Sequence, residues 1–326
     1  MPPAKVVPAR ALLRHDAAHR LGLAAAGLAV VRTVLLVLVG LGTARFVNNV
    51  LSLMAANSWR LTPAATWNWP DEIAVVTGGS SGIGAGVVQR LAGRHMRVAV
   101  LDIQELPKEM QGNPLVYFYK CDITSPESVA EAADAVRRDI GHPSILINNA
   151  GITRPMPILK MPSDFLHKIF NVNCLSHWTL VQQFLPNMIH VNKGHVVTVA
   201  SIASFVALAK AADYSATKAA AHAFHEALST ELRHLYKADG VLTSIAHPNF
   251  VRTPLVEDFA NGLETGGIRL LTTDYVADEI AGQVFSKRGG QLVIPQNMTF
   301  LAGLRAWPTW MQTLVRDILG KMAMKL

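Results

Sequence analysis

The sequence predicts an α/β fold, a doubly wound parallel sheet of about seven strands with helices on both faces. Three observations predict it. Short apolar, β-branched runs alternate with stretches of helical periodicity from residue 71 onward. The first run leads into a glycine-rich turn, Thr77-Gly78-Gly79-Ser80-Ser81-Gly82-Ile83-Gly84, and the second ends in an acid, Asp102.

Each element has its own reason. Ile73 to Thr77 is apolar or β-branched throughout, as a strand covered on both faces must be. Ala85 to Leu91 reads as the helix that follows the turn, and Arg97 to Leu101 as the next strand. Later strands are expected at Leu115–Lys120, Ile145–Asn148, His195–Ala200, Val241–Ala246 and Gln291–Ile294, with intervals long enough for the helices that parallel crossovers require. Phe250 to Thr273 interrupts the alternation with Leu255, Val256, Phe259, Leu263, Ile268, Leu270 and Leu271, and reads as a lid. There is no internal repeat.

Glycines in the turn let the backbone approach a pyrophosphate, which then meets the positive end of the helix dipole. Asp102 stands where a carboxylate grips the adenosine ribose hydroxyls. A 2′-phosphate there would be repelled by Asp102; Ile103 follows it, and Arg97 and Lys108 are the nearest cations, so NAD is favoured over NADP. Tyr214 and Lys218 lie four residues apart and share one face of a helix. An ammonium beside a phenol favours its ionised form, and a tyrosine so adjusted exchanges a proton with a substrate hydroxyl near neutral pH.

The glycine turn, Asn148-Asn149-Ala150-Gly151, Asn173, Ser201 and the Tyr214/Lys218 pair together resemble the short-chain dehydrogenase/reductase superfamily, over about residues 71 to 295. The resemblance implies a Rossmann-type fold. It implies that Tyr214 is the general acid/base, that Ser201 binds the substrate oxygen, and that Lys218 holds the nicotinamide ribose and lowers the tyrosine pKa. It further implies that Asn173 holds a water of the proton relay. Gly78, Ser80, Ser81, Gly82, Ile83, Gly84, Asp102, Asp122, Ile123, Asn149, Ala150, Gly151, Pro248 and Thr253 would contact the cofactor. Asn249 stands where the family has glycine after the proline.

Composition bounds the remainder. Of 326 residues 50% are apolar, and the mean hydropathy of +0.26 is high for a soluble enzyme. Cys121 and Cys174 are the only cysteines, too few for a disulfide framework, and His177, His222 and His225 lack metal-ligand spacing. No metal is expected. Residues 1–70 carry seven basic side chains against Asp16, so nearly all of the net +7 lies there. Basic and aromatic residues do not interleave, which disfavours nucleic acid and favours an anionic membrane surface.

Leu21 to Ala44 is almost entirely Leu, Val, Ala and Gly, and a second apolar stretch runs from Phe46 to Ala56. The first is long enough to span a bilayer, although Arg32 would cost about 2.5–3.5 kcal/mol at its centre. A hairpin or an interfacial helix would avoid that cost. Lys5, Arg10, Arg14 and Arg20 would keep the N-terminus cytosolic, so a single span would carry the domain across the membrane, whereas the cysteine usage fits a cytosol-facing domain. A hairpin or interfacial anchor reconciles the two. A cytosol-facing domain leaves the Asn297-Met298-Thr299 acceptor unglycosylated. A secretory signal fits poorly; a mitochondrial presequence is the alternative address to the endoplasmic reticulum or a lipid droplet.

The expected organisation is a basic N-terminus and membrane anchor (1–57), a tryptophan-bearing linker (58–70), a catalytic domain (71–297) and an amphipathic C-terminal tail (298–326). The tail carries Phe300, Leu301, Leu304, Trp307, Trp310, Leu314 and Leu319 among basic residues, and suits either a membrane interface, the domain's own core or a homodimer partner. Anchor, Asp102 and apolar tail together resemble the membrane-associated retinol dehydrogenase and 17β-hydroxysteroid dehydrogenase branch. That implies NAD-dependent interconversion of a lipophilic alcohol and its carbonyl. The alternatives are an NADPH-dependent reductase of a lipid carbonyl and a non-catalytic, membrane-tethered NAD-binding scaffold.

Overall fold

The computed structural model describes residues 9–60, 62 and 65–323. The chain divides into two units after Met54. The first is one helix, α1 (Ala9–Ala56), 48 residues without a break. Of the helix and the hairpin expected for this segment, the described residues form the helix. No proline occurs between Ala9 and Ala56, and Gly40 and Gly42, at about 1 kcal/mol each, are too weak to break a leucine- and valine-rich helix. Gly27–Ala56 is long and apolar enough to cross a membrane, by length and composition. Its large side chains, Leu28, Val31, Leu35, Leu38 and Phe46 among them, are exposed on every side of the helix.

The second unit is a seven-stranded parallel sheet in the order β3-β2-β1-β4-β5-β6-β7. The strands are β1 (Ile73–Thr77), β2 (Arg97–Asp102), β3 (Val116–Lys120), β4 (Ile145–Asn148), β5 (Gly194–Val199), β6 (Val241–Pro248) and β7 (Gly290–Ile294). Each agrees with its expected span to within two residues. All five residues of β1 are buried because its side chains alternate between two cores. Ala74 and Val76 join Val87, Val88 and Leu91 of α2 (Gly82–Ala92) and Val276, Ile280 and Val284 of α8 (Thr273–Phe285). Ile73 and Val75 face the other way, toward α3 (Pro126–Asp139), α5 (Ser176–His190) and α6 (Ala212–His234). Arg90 ties α2 to α8 through Asp274 and Asp278, each at 2.8 Å.

Asn173 does not sit in a regular helix. Between α4 (Ser163–Phe170) and α5 the backbone widens into a π-helical turn, Asn171–Leu175, a distortion often found at functional sites. The expected lid contains α7 (Glu257–Thr265), and its base is closed by pairing of Val251 with Leu271. After β7 a 3-10 run, Gln296–Ala306, leads to α9 (Thr309–Ala323). The tail has two faces, one of them packed on the domain's own core. Leu301 and Leu304 are buried with Ile202, Phe205, Val206 and Val293, and Val315 and Leu319 pack against them. Trp310, Leu314 and Ile318, four residues apart in turn, stay exposed on the outer face.

Candidate active site

The loops after β1, β2, β3, β4, β5 and β6 enclose a cavity of about 460 Å³ at the carboxyl edge of the sheet, where ligands of doubly wound folds bind. Its first end is built by the glycine turn. Gly78 and Gly82 hold φ of +64° and +53°, backbone that side chains rarely adopt. A Cβ on Gly84 would lie 2.1 Å from the Gly78 carbonyl oxygen. Thr77, the last residue of β1, ties the turn to the loop after β4, its Oγ1 accepting from Asn149 N at 3.0 Å and Ala150 N at 3.1 Å. The Asn149 side chain returns two hydrogen bonds, to the carbonyls of Thr77 and Gly78.

Asp102 lines the same end. Its carboxylate accepts from Ser80 N at 2.9 Å and Gln104 N at 3.0 Å, which fixes its rotamer and leaves lone pairs for a ligand. Asp122 is held through Thr124, and with Ile123 forms the neighbouring wall. A close backbone turn, the amide groups at the α2 N-terminus and an oriented acid together fit a dinucleotide. Ser80 and Gly84 stand behind this wall. Ser80 shapes the turn through Asp102 and the Gln104 carbonyl, and Gly84 allows α2 to approach Gly78.

Ser201, Tyr214 and Lys218 converge further along the cavity, which Pro248 and Thr253 also line, the Ser201 hydroxyl donating to the Pro248 carbonyl at 3.3 Å. Ser201 follows β5 and caps a short 3-10 turn, Ile202–Ser204, and Tyr214 and Lys218 share the first turns of α6. The Lys218 ammonium lies 5.7 Å from the centre of the Tyr214 ring and donates to the Val199 carbonyl at 2.8 Å. Burial pushes Tyr214 up to about 12, and a hydrogen bond with Ser201 acts against it. The expected lowering by Lys218 is thus reversed, because the apolar walls disfavour the phenolate more than the polar neighbours favour it. Burial also brings Lys218 down to about 8.

Asn173 is fully buried and stands behind the cavity surface. Its Oδ1 accepts from Ile152 N at 2.8 Å, and its Nδ2 donates to Ile152 O and to Thr217 Oγ1. Gly151 keeps open the space beside it, since a Cβ there would sit 3.4 Å from Asn173 Oδ1 and 3.6 Å from Lys218 Nζ. Asn249 has no positive φ, and its N–H donates to the Ile294 carbonyl at 2.8 Å. A non-glycine residue is accommodated there as an extension of the β6–β7 pairing.

The far end of the cavity is apolar. Leu255, Val256 and Phe259 come from the lid, and Met298, Leu301 and Leu319 from the tail. Val206 and Leu208, between β5 and α6, also line it; the apolar run Ile202-Ala203-Ser204-Phe205-Val206 was a signal for them in the sequence. Among the described residues no three His, Cys, Asp or Glu side chains gather as a metal site. Cys121 and Cys174 are free and buried.

A doubly wound parallel sheet with a dinucleotide cradle at its carboxyl edge defines a nicotinamide-type oxidoreductase. The chain belongs to the short chain dehydrogenase family, whose pattern matches residues 72–263. It is 39% identical over 202 residues to Dehydrogenase RED2 of Cochliobolus heterostrophus, covering 60% of this chain and 76% of that protein. It is 30% identical over 280 residues to human Epidermal retinol dehydrogenase 2, covering 83% and 90%. Retinol dehydrogenase 10-B of Danio rerio matches at 31% identity, over 63% and 68% of the two chains. The fold is shared with a short chain dehydrogenase/reductase from Burkholderia phymatum solved in complex with NAD, at a TM-score of 0.67 and 22% identity, over 74% of this chain and 95% of that one.

Proposed function

We propose that the protein is an NAD-dependent dehydrogenase that interconverts a lipophilic alcohol and its carbonyl at a membrane. One observation carries this reading: Ser201, Tyr214 and Lys218 meet in a single cavity whose one end fits a dinucleotide and whose other end is apolar. A non-catalytic scaffold would need the first end alone.

In the proposed mechanism Ser201 orients the substrate oxygen and Tyr214 takes the hydroxyl proton, or returns it in the reverse direction. Lys218 supplies a positive charge nearby that offsets the cost of the phenolate. Asn173 holds the Ile152 backbone and Thr217 around the path by which the proton leaves. Gly78, Ser81, Gly82, Ile83, Asn149, Ala150 and Gly151 would hold the dinucleotide, with Ser80 and Gly84 shaping the turn and Pro248 and Thr253 beside the nicotinamide. When bound, the nicotinamide ring supplies the hydride acceptor. Asp102, followed by the uncharged Ile103 and Gln104, favours the free ribose hydroxyls of NAD over a 2′-phosphate.

The apolar end supports a greasy substrate, and the similarity to retinol dehydrogenases supports an alcohol of that kind. From Gly27 to Ala56, α1 exposes large apolar side chains on all sides rather than on one stripe, which supports a bilayer-spanning anchor over an interfacial one. The free cysteines support a cytosol-facing domain, which a spanning α1 allows only with the N-terminus on the lumenal side, against the pull of Lys5, Arg10, Arg14 and Arg20. On the cysteines we place the domain at the cytosolic face of the endoplasmic reticulum. Asn297 is exposed, so its modification reports the side directly. The test of function is turnover of NAD with a panel of retinol, a steroid alcohol and a long-chain alcohol in mixed micelles. Tyr214→Phe should lose at least about two orders of magnitude, and NAD should bind more tightly than NADP. Undiminished turnover in that variant removes the mechanism, and tighter NADP binding favours the reductase reading.

A further inference from the structure

The cavity wall that carries Ser201 is braced from behind by buried polar groups with no part in the mechanism above. His247, the residue before Pro248, is wholly buried at the end of β6. Its Nδ1 lies 2.8 Å from Ser204 Oγ and 3.2 Å from the Ser201 carbonyl oxygen. Ser204 Oγ donates to that same carbonyl at 2.6 Å. On the other side of the ring, Nε2 lies 3.2 Å from the Gln291 side-chain amide nitrogen.

One proton arrangement satisfies all four contacts. The Ser204 hydroxyl proton is committed to the Ser201 carbonyl, so its oxygen accepts from His247 Nδ1–H. Nε2 then carries the lone pair and accepts from the Gln291 amide. Burial and the neighbouring His222 bring His247 down to about 3, which keeps the ring neutral in this tautomer. Phe205 and His222, with ring centres 4.3 and 4.9 Å away, fix its plane. The Ser201 hydroxyl is itself held by Ala203 N–H at 3.2 Å and by the carbonyl of Pro248 at 3.3 Å. Adjacent residues of β6 therefore grip Ser201 at both its carbonyl and its hydroxyl.

We propose that His247 and Ser204 are positioning residues for Ser201, pinning its carbonyl so that its hydroxyl is aimed at Tyr214 and the substrate oxygen. This rests on Ser201 being the substrate-orienting group. Without the brace, Ser201 turns about its extended backbone, and the misplaced hydroxyl slows the chemical step while the pyrophosphate and adenosine end of the cradle, built after β1 and β2, is untouched.

The test uses the full chain and the alcohol of the panel that the wild type oxidises fastest. Ser204→Ala and His247→Leu should each lower kcat at least about tenfold, the scale of a small displacement in a reacting geometry, with the Kd for NAD unchanged. His247→Asn, whose amide can donate in place of Nδ1–H, should recover most of the loss. The double variant Ser204→Ala/His247→Leu should be no worse than either single one, because both act through one carbonyl. Ser201→Ala is the control. If it keeps full turnover, the role proposed for Ser201 fails; if it is inactive while Ser204→Ala turns over normally, the positioning role fails. Should His247→Leu not fold, Ser204→Ala removes one oxygen only and carries the kinetic test. Imidazole nitrogen NMR of the wild type gives a readout independent of activity. Nδ1–H with an unchanged spectrum from about pH 5 to 9 is expected, and an Nε2–H tautomer or titration in that window overturns the proposal.

Discussion

At the residue scale, the Tyr214/Lys218 pair shows what spacing can and cannot tell. Four residues on a helix guaranteed a shared face, and the structure supplies it. The spacing carried no information about how dry the surroundings are, and dryness decides the direction of the shift. With Tyr214 up at about 12 the phenol is protonated at neutral pH. Oxidation of the alcohol needs the deprotonated form, so kcat/KM in that direction should rise with pH between about 6 and 8, approaching tenfold per unit. Lys218, down at about 8, loses its charge above that point and with it the field that favours the phenolate, so the rise should slacken there. Carbonyl reduction uses the protonated phenol and should stay flat over the lower interval. Pre-steady-state rates in both directions would check this, and oxidation that slows as pH rises from 6 to 8 contradicts it. The Ser204 and His247 brace was not legible, because its members lie more than 40 residues apart and each reads alone as an ordinary core residue.

At the scale of elements, the sheet was legible because strands covered on both faces leave unbroken apolar runs, and the glycine turn was legible because no other residue fits its backbone. The π-helical turn at Asn173 and the 3-10 run after β7 were not. Both depend on contacts from elsewhere in the chain, Ile152 and Thr217 for the first and the Ile202–Val206 segment for the second. A further tertiary device sits at the opposite edge of the sheet from the cavity. Glu72, just before β1, is buried and accepts hydrogen bonds from Ser144, ahead of β4, and from Lys193, ahead of β5. The same lysine lies 5.0 Å from the Trp67 ring centre. One carboxylate thus clamps the starts of three adjacent strands. Glu72→Ala leaves Ser144 and Lys193 unpartnered there; Lys193 keeps some access to water, so the expected loss is about 1–3 kcal/mol. Urea denaturation should show a lower midpoint with an unchanged slope, while kcat at low temperature stays at the wild-type value. A fall in kcat with no change in midpoint would show that the clamp acts on the site instead.

At the scale of the whole molecule, the high mean hydropathy has a structural location. It is concentrated in Gly27–Ala56 of α1, whose large side chains are exposed on every side, and the outer face of α9 adds to it. Trp310 is 68% exposed, Leu314 54% and Ile318 51%. The opposite face of the same helix contributes Leu319 to the cavity wall, so α9 has one side toward the substrate space and the other toward the surroundings. Lys321, about one turn beyond Ile318 and exposed, suits anionic headgroups, and Trp310 suits the interfacial region of a bilayer. Burying three such side chains fully contributes about 1.5–3 kcal/mol each, enough to favour contact of α9 with lipid in the membrane-bound form proposed above. Replacing Trp310, Leu314 and Ile318 with serine should leave the unfolding midpoint nearly unchanged, since little of the core is lost. The KM for a long-chain alcohol presented in anionic phospholipid vesicles should rise several-fold, and kcat/KM for a short, water-soluble alcohol should not move. Equal effects on the two substrates would mean that the stripe serves the fold of the pocket and not its delivery from lipid.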